Sequence, residues 1–363
     1  MCCLFSGMIS PGFVSGSFFI NGVDKKREAC EIGLNIGIVG ATGAVGRKVL
    51  EVLSERNLNV DKVRCFASSR TAGEQLEWKD KTITVELLTE NKMKEEYDYL
   101  LFSAGGDISK EYAPIAKEAG NIVIDNSSYW RMHEEIPLVV PEVNGHILRG
   151  YKGIIANPNC STIQMVMALA PLHRVYQMKR IVVSTYQAVS GSGNKAILEL
   201  EKQNDDPKYP PSVYPKPIAA NCLPHIDVFY ENGFTKEELK MVNETQKIFN
   251  DETIQVNATA VRVPVFNGHS ESVTVTFNST PRLLEVRELL GSGSGITLLD
   301  DPGQLKYPTP LEIQGSDSTF VGRIRKDLFD PCTLSMWIVA DNLRKGAATN
   351  AVQIIEKMEE MKN

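Results

Sequence analysis

The feature that most narrows the fold is a glycine loop near the start of the chain. Leu34 to Val39 is a short apolar run, and Gly40-Ala41-Thr42-Gly43-Ala44-Val45-Gly46 follows it directly. Arg47 to Arg56 then carries Val49, Leu50 and Leu53 at helical spacing. A buried strand, a turn with glycine at every third position and a helix together make a nucleotide-binding unit. Small residues let the backbone approach a pyrophosphate, and the helix N-terminus supplies free N–H groups with partial positive charge. The spacing GxxGxxG is a variant of the dinucleotide fingerprint, and tight strand-to-helix turns also use glycine for steric reasons alone.

The pattern continues. Val60–Ala67, Thr82–Leu88, Tyr97–Ser103 and Ile122–Asp125 read as strands, and Ile108–Ala119 as a helix that Pro114 is expected to kink or shorten. Strand–helix alternation of this kind implies a doubly wound α/β domain, a parallel sheet with helices on both faces. From about Ala156 the texture changes, with Pro158, Pro207, Pro210, Pro211, Pro215, Pro217 and Pro224 among polar stretches. Strands are expected at Ile181–Tyr186, Ala258–Val265 and Ser272–Phe277. Helices are expected at Thr162–Ala170, Lys195–Lys202, Lys236–Phe249 and Leu283–Leu290. That describes a mixed α+β domain. A last helix, Gly346–Met361, is expected to return to the first domain. The expected division is therefore 34–156, 157–340 and 341–363.

Composition bounds the partners. The 363 residues are enough for two domains, the formal net charge is −6, and no block of Lys and Arg stands out. Nucleic acid and anionic membrane are thereby set aside, and no apolar run approaches a membrane span. The seven cysteines have irregular spacings and no CxxC pair, so neither a disulfide framework nor a zinc or other metal site is indicated. A reducing cytoplasm fits. Residues 1–33 differ in texture: Gly, Ser and Pro break their apolar run, and basic residues follow it where a secretory signal would place them first. They are expected to be a disordered extension, or the product of a start codon assigned too early.

Three further places carry chemistry. At the end of the second strand, Cys65 to Gly73 holds no acid to bind a ribose 2′-hydroxyl. It offers Ser68, Ser69, Arg70 and Thr71, which suit a 2′-phosphate, so NADP is expected over NAD. Asn157-Pro158-Asn159-Cys160-Ser161-Thr162 places a cysteine near the first turn of a helix, where a thiol pKa falls and a nucleophile is made. Cys65 and Cys332, in apolar strand-like contexts, are expected to be core. Last, Arg262 stands on a strand that ends in the Gly268-His269 turn, a guanidinium and an imidazole on one segment.

From Asn35 to the C-terminus these motifs resemble the bacterial form of the aspartate-β-semialdehyde dehydrogenase family. The resemblance is carried by Gly37 to Gly46, Asn126-Ser127-Ser128, Leu138 to Asn144 and Asn157 to Thr162. It continues through Tyr186 to Gly191, Arg262 to Val265, Gly268 to Glu271 and Val321 to Arg325. It implies a Rossmann-type NADP-binding domain, a catalytic and dimerisation domain and a C-terminal helix packed back on the first. It also implies reductive dephosphorylation of L-4-aspartyl phosphate to L-aspartate 4-semialdehyde and inorganic phosphate, through a cysteine acyl-thioester reduced by NADPH. That reaction serves lysine, threonine, methionine and isoleucine biosynthesis.

Carried over by position, the resemblance makes Cys160 the nucleophile, His269 the acid/base and Gln187 the residue that orients both substrate and imidazole. Arg262 is expected on the α-carboxylate, Glu244 on the α-ammonium, and Arg131, Asn159 and Lys247 on the phosphate. Gly40, Gly43 and Thr42-Gly43-Ala44-Val45 would meet the pyrophosphate, Arg70 and Thr71 the 2′-phosphate, and Ser190, Gly191 and Asn342 the nicotinamide end. The family more often has Ser at the position of Thr71; the hydroxyl is kept. A homodimer or homotetramer is implied. The rivals are another acyl-phosphate reductase, such as N-acetyl-glutamyl-phosphate reductase or a phosphorylating glyceraldehyde-3-phosphate dehydrogenase, and a non-catalytic paralogue of the nucleotide-binding fold.

Overall fold

The computed structural model describes residues 33–362. The expected N-terminal extension, apart from Gly33, lies outside the described residues. β1 (Leu34–Val39) leads through the glycine loop into α1 (Ala44–Glu55), and β2 (Val60–Ala67) follows. Next come β3 (Gln75–Trp78), β4 (Lys81–Thr84), β5 (Glu86–Leu87) and α2 (Glu90–Met93). β6 (Tyr99–Phe102), α3 (Gly106–Glu118), β7 (Ile122–Asp125), α4 (Pro141–Asn144) and β8 (Ile154–Ala156) complete the first half. Its six-stranded sheet has the order β5-β2-β1-β6-β7-β8, and every pair is parallel. The strand order reverses between β1 and β6, and a crevice opens at the carboxyl ends there.

Two glycines are needed for that crevice. Gly40 has φ +82°, and a Cβ on Gly46 would fall 2.3 Å from the Gly40 carbonyl oxygen. Pro114 does not shorten α3; the carbonyl it deprives of an amide belongs to exposed Lys110, where water can substitute. Thr82–Leu88 is two strands, not one: β4 pairs with β3 in a hairpin and β5 with β2, because buried Val85 turns between them.

The second half begins with α5 (Cys160–Tyr176), β9 (Met178–Gln187), α6 (Asn194–Asp205) and α7 (Lys236–Phe249). β10 (Gln255–Arg262), β11 (His269–Phe277), α8 (Leu283–Gly291), β12 (Ile296–Leu298) and α9 (Pro310–Ile313) follow. β13 (Thr319–Lys326) and β14 (Thr333–Ala340) finish a mixed six-stranded sheet, ordered β10-β9-β11-β14-β13-β12. α5 runs past the expected Ala170, carrying Pro171 inside it, because Leu172 and Tyr176 still pack into this sheet's core. Its other side gives Ile163, Val166 and Met167 to a core shared with Val39 and Phe102. One helix thus joins both halves, and Cys160 stands at its end.

β10 stops at Arg262, short of the expected Val265, since Pro264 cannot continue the ladder. Cys65 is fully buried, but Cys332 is a half-buried turn residue before β14 and not core. A π-helical turn, Arg344–Ala348, precedes α10 (Thr349–Glu360), which starts later than expected. Ala351, Val352, Ile354 and Ile355 return to pack with Ile36, Ile38 and Leu53. Among the described residues no helix is long and apolar enough to cross a membrane.

Candidate active site

Asn159 caps α5. Its Oδ1 accepts from the backbone N–H groups of Ser161 at 3.0 Å and Thr162 at 3.2 Å, which leaves Cys160 as the first helical residue. Cys160 faces a cavity of about 410 Å³ between the two halves, lined also by Arg131, Asn159, Gln187, Ser190, Gly191, Arg262 and Asn342. A Cβ on Gly346 would fall 2.8 Å from the Cys160 Cβ, so the turn before α10 meets the cysteine with backbone alone.

Sheet register gathers the other groups. Gln187 and Arg262 end parallel neighbours as Cα partners, and His269 opens β11 on the other side of β9. His269 is fully buried, and its Nδ1 accepts from Ala188 N–H at 3.0 Å. Its Nε2 has no hydrogen-bond partner among the described residues. A Cβ on Gly191 would stand 3.2 Å from that Nε2 and 3.0 Å from Arg262 Nη1. Arg262 donates from Nη1 to the Ala188 carbonyl at 2.7 Å, and its buried Nε has no partner among the described residues. Asn342 ties the rim together, donating to Ser190 Oγ at 2.9 Å and accepting from Gly268 N–H at 2.9 Å.

Two residues on this wall were not anticipated, Glu237 and Lys240 of α7. Glu237 Oε1 accepts from Asn159 Nδ2 at 2.8 Å and Gln187 Nε2 at 3.2 Å, while Lys240 donates to Oε2 at 2.9 Å. Glu244 and Lys247, expected in those places, stand two turns further along the helix and do not line the cavity. Glu244 accepts from Arg131 Nη1 at 3.0 Å and from the Asn159 backbone N–H at 2.6 Å, so it positions an arginine and the helix cap. Lys247 donates to the carbonyls of Arg131 at 2.8 Å and His133 at 2.6 Å. The sequence signal was present: Glu-x-x-Lys occurs twice on α7, seven residues apart.

The charges set the resting protonation. Burial alone would raise Glu237, but the charge and hydrogen bond of Lys240, with Asn159 and Gln187, bring it down to about 2. Burial, and then Arg262, take His269 down to about 3. Burial, with Glu237 adding to it, pushes the Cys160 thiol up to about 12 against Arg262, Arg131 and the Ser161 N–H. A lowered thiol was expected from the helix N-terminus. In the free protein desolvation outweighs that dipole, and thiol and imidazole are each neutral.

A second cavity, about 640 Å³, lies at the switch point of the parallel sheet. Gly40, Thr42, Gly43, Arg70 and Thr71 line it, and Thr71 Oγ1 is 3.0 Å from Thr42 Oγ1. Val45 of the same loop lines the Cys160 cavity instead, so the glycine loop spans from one to the other. Ala44 lines neither.

Comparison with known proteins fits this geometry. Residues 35–151 match the family model "Semialdehyde dehydrogenase, NAD binding domain", and residues 169–345 match "Semialdehyde dehydrogenase, dimerisation domain". An aspartate-semialdehyde dehydrogenase of Aquifex aeolicus is 53% identical over 333 residues, covering 90% of this chain and 98% of that protein. The chain belongs to the aspartate-semialdehyde dehydrogenase family. The family's Bacillus subtilis member is 46% identical over 341 residues, covering 91% and 98% of the two chains. The crystal structure of aspartate semialdehyde dehydrogenase II from Vibrio cholerae, complexed with ASA, superposes with a TM-score of 0.87 at 46% identity, covering 91% of this chain and 99% of that one. A Candida albicans aspartate semialdehyde dehydrogenase with NADP does so at 0.71 and 25% identity, covering 91% and 99%. The parallel nucleotide-binding domain and the mixed second sheet are those of this family.

Proposed function

We propose that this member of the family reduces L-4-aspartyl phosphate to L-aspartate 4-semialdehyde, releasing inorganic phosphate, with NADPH as reductant. The observation that carries the reading is the single cavity shared by Cys160, Gln187, Arg262, Arg131, Glu237 and Lys240, with the glycine loop reaching its wall at Val45. The second cavity suits NADP. Gly43 caps α1 with no side chain on its first-turn N–H groups, and Arg70 and Thr71 supply a cation and a hydroxyl for a 2′-phosphate. Bound there, the cofactor supplies hydride; the chain's own residues do the rest.

Arg262 holds the α-carboxylate through the guanidinium face not spent on Ala188. Glu237, ionised, holds the α-ammonium; an N-acylated substrate brings no such cation to it, which argues against an N-acetyl-glutamyl phosphate. Lys240 and Arg131 balance the phosphate, and the second hydrogen on Asn159 Nδ2, not used by Glu237, adds to them. Cys160 Sγ attacks the acyl carbon, the C–O bond to phosphate breaks, and the acyl group becomes a thioester on Cys160. The leaving phosphate can accept the thiol proton. With Nδ1 held by the Ala188 N–H, the ring proton of His269 sits on Nε2, where it faces the oxyanion that forms when the thioester is reduced. Collapse of that adduct frees the aldehyde and the cysteine.

Two chains are proposed to assemble through the second domain, where the outer face of the mixed sheet exposes Val182 and Tyr186. Light scattering on the purified protein tests that assembly; a monomer at micromolar concentration contradicts it. The activity is tested by phosphate-dependent reduction of NADP and of NAD with L-aspartate 4-semialdehyde, N-acetyl-L-glutamate 5-semialdehyde and glyceraldehyde 3-phosphate. The first aldehyde with NADP is expected to give the highest kcat/KM. A preference for either other aldehyde overturns the substrate reading.

A further inference from the structure

Lys240 is shared by two carboxylates. Its Nζ stands 2.9 Å from Glu237 Oε2, one turn back on α7, and 3.0 Å from Asp227 Oδ2. Asp227 belongs to the long connection between α6 and α7. Leu223 pins that connection beside the site, exchanging backbone hydrogen bonds of 2.8 and 2.9 Å with Arg262. Ile226 and Asp227 then line the Cys160 cavity. Asp227 has φ +70°, a left-handed conformation that Asp adopts more readily than most residues, and its Oδ1 accepts from the Val228 N–H at 2.9 Å. One oxygen secures the turn and the other meets Lys240. Burial disfavours the charge on Asp227, yet Lys240 holds its carboxyl below the usual range.

A lysine has three donors, and two of these are taken. A phosphate dianion reaching Lys240 either uses the third donor beside a carboxylate of like charge, or displaces Asp227, whose side chain is 29% exposed and has solvent to enter. Both routes weaken phosphate binding. We propose that Asp227 is a counter-ion that competes with phosphate for Lys240, lowering the enzyme's affinity for inorganic phosphate and favouring its release once the acyl group is on Cys160. Asp227 is thus a positioning residue acting through Lys240. The inference rests on the reading of Lys240 as a phosphate group, and its test separates the two.

The test is the KM for inorganic phosphate in the aldehyde-oxidising direction, measured on full-length wild type, Asp227→Asn, Lys240→Met and the double variant. Asparagine also adopts positive φ and keeps the acceptor for Val228, so the turn is preserved. Asp227→Asn should lower the phosphate KM about three- to tenfold, with smaller changes in the KM values for aldehyde and NADP. In the Lys240→Met background most of that gain should vanish. If Lys240→Met raises the phosphate KM but Asp227→Asn leaves it unchanged or raises it, the counter-ion proposal fails and the reading of Lys240 stands. If Lys240→Met does not move the phosphate KM, both fall.

Discussion

The backbone N–H of Ala188 donates to Nδ1 of His269 at 3.0 Å, while the opposite ring nitrogen is buried with no partner among the described residues. A protonated ring would set two N–H groups against each other at Nδ1, and burial with Arg262 already takes the imidazole down to about 3. The ring is therefore neutral across the working range. Its exchangeable proton points toward Gly191 and the cavity.

The acid side of the pH–rate profile should accordingly show no inflection near the ordinary histidine value of about 6.5. His269→Asn should lower kcat by about 10²- to 10⁴-fold with NADP affinity retained. Steady-state kinetics between about pH 5 and pH 9, with fluorescence titration of the cofactor, check both; a histidine-like inflection that disappears in His269→Asn contradicts the assignment.

Cys160 should be a slow nucleophile toward alkylating reagents before substrate binds. Its thiol is pushed up to about 12, so the thiolate fraction, and with it the iodoacetamide rate at Cys160, should rise about tenfold per pH unit from pH 7 to pH 9 without levelling. Peptide mass spectrometry follows that one residue. A plateau below pH 8 would show a thiolate already formed in the free enzyme.

The site also depends on Gly346. A methyl there would stand 2.8 Å from the Cys160 Cβ, so Gly346→Ala must displace either the cysteine or the turn before α10. We expect kcat to drop about 10- to 100-fold with a smaller change in the KM for NADP. An unchanged kcat would mean the turn gives way freely.

Glu271 follows His269 on β11 by two residues and is fully buried, with neither carboxyl oxygen in a hydrogen bond of normal geometry among the described residues. Burial raises it well above the usual carboxylate range, and nearby Gln164 counters only in part. The folded state therefore binds a proton that the unfolded chain releases above about pH 4.3, so stability falls as pH climbs from there toward the folded value. Glu271→Gln should be more stable than wild type at pH 8, by about 1 kcal/mol or more, and no more stable at pH 4. Urea unfolding at the two pH values reads the difference.

The parts of the site legible in the sequence are those specified locally. The glycine loop needs Gly40 at positive φ and Gly46 where a side chain would strike its own loop, and the Asn159 cap with Cys160 behind it is one turn of helix. Glu237 and Lys240 were missed for a tertiary reason. α7 repeats Glu-x-x-Lys at 237/240 and 244/247, and seven residues bring a helix back to nearly the same face about 10 Å further on. Periodicity therefore identifies the face but not the turn. The choice is made by the packing of α7 on α5, which aims the first pair at Cys160 and spends the second on Arg131, Asn159 and the His133 carbonyl. α5 likewise runs past its expected end at Ala170 because Leu172 and Tyr176 pack beyond Pro171, and α3 runs on past Pro114 with Ala116 buried.

Covalent catalysis by Cys160 is the centre of the account. The most direct measurement is phosphate-dependent NADPH formation from L-aspartate 4-semialdehyde by Cys160→Ala beside wild type, with NADP affinity determined for both. Wild type should turn over, and the variant should bind NADP within about twofold of it while losing at least about 10⁴-fold in kcat. A variant that still turns over at a rate near wild type would contradict the mechanism at its first step.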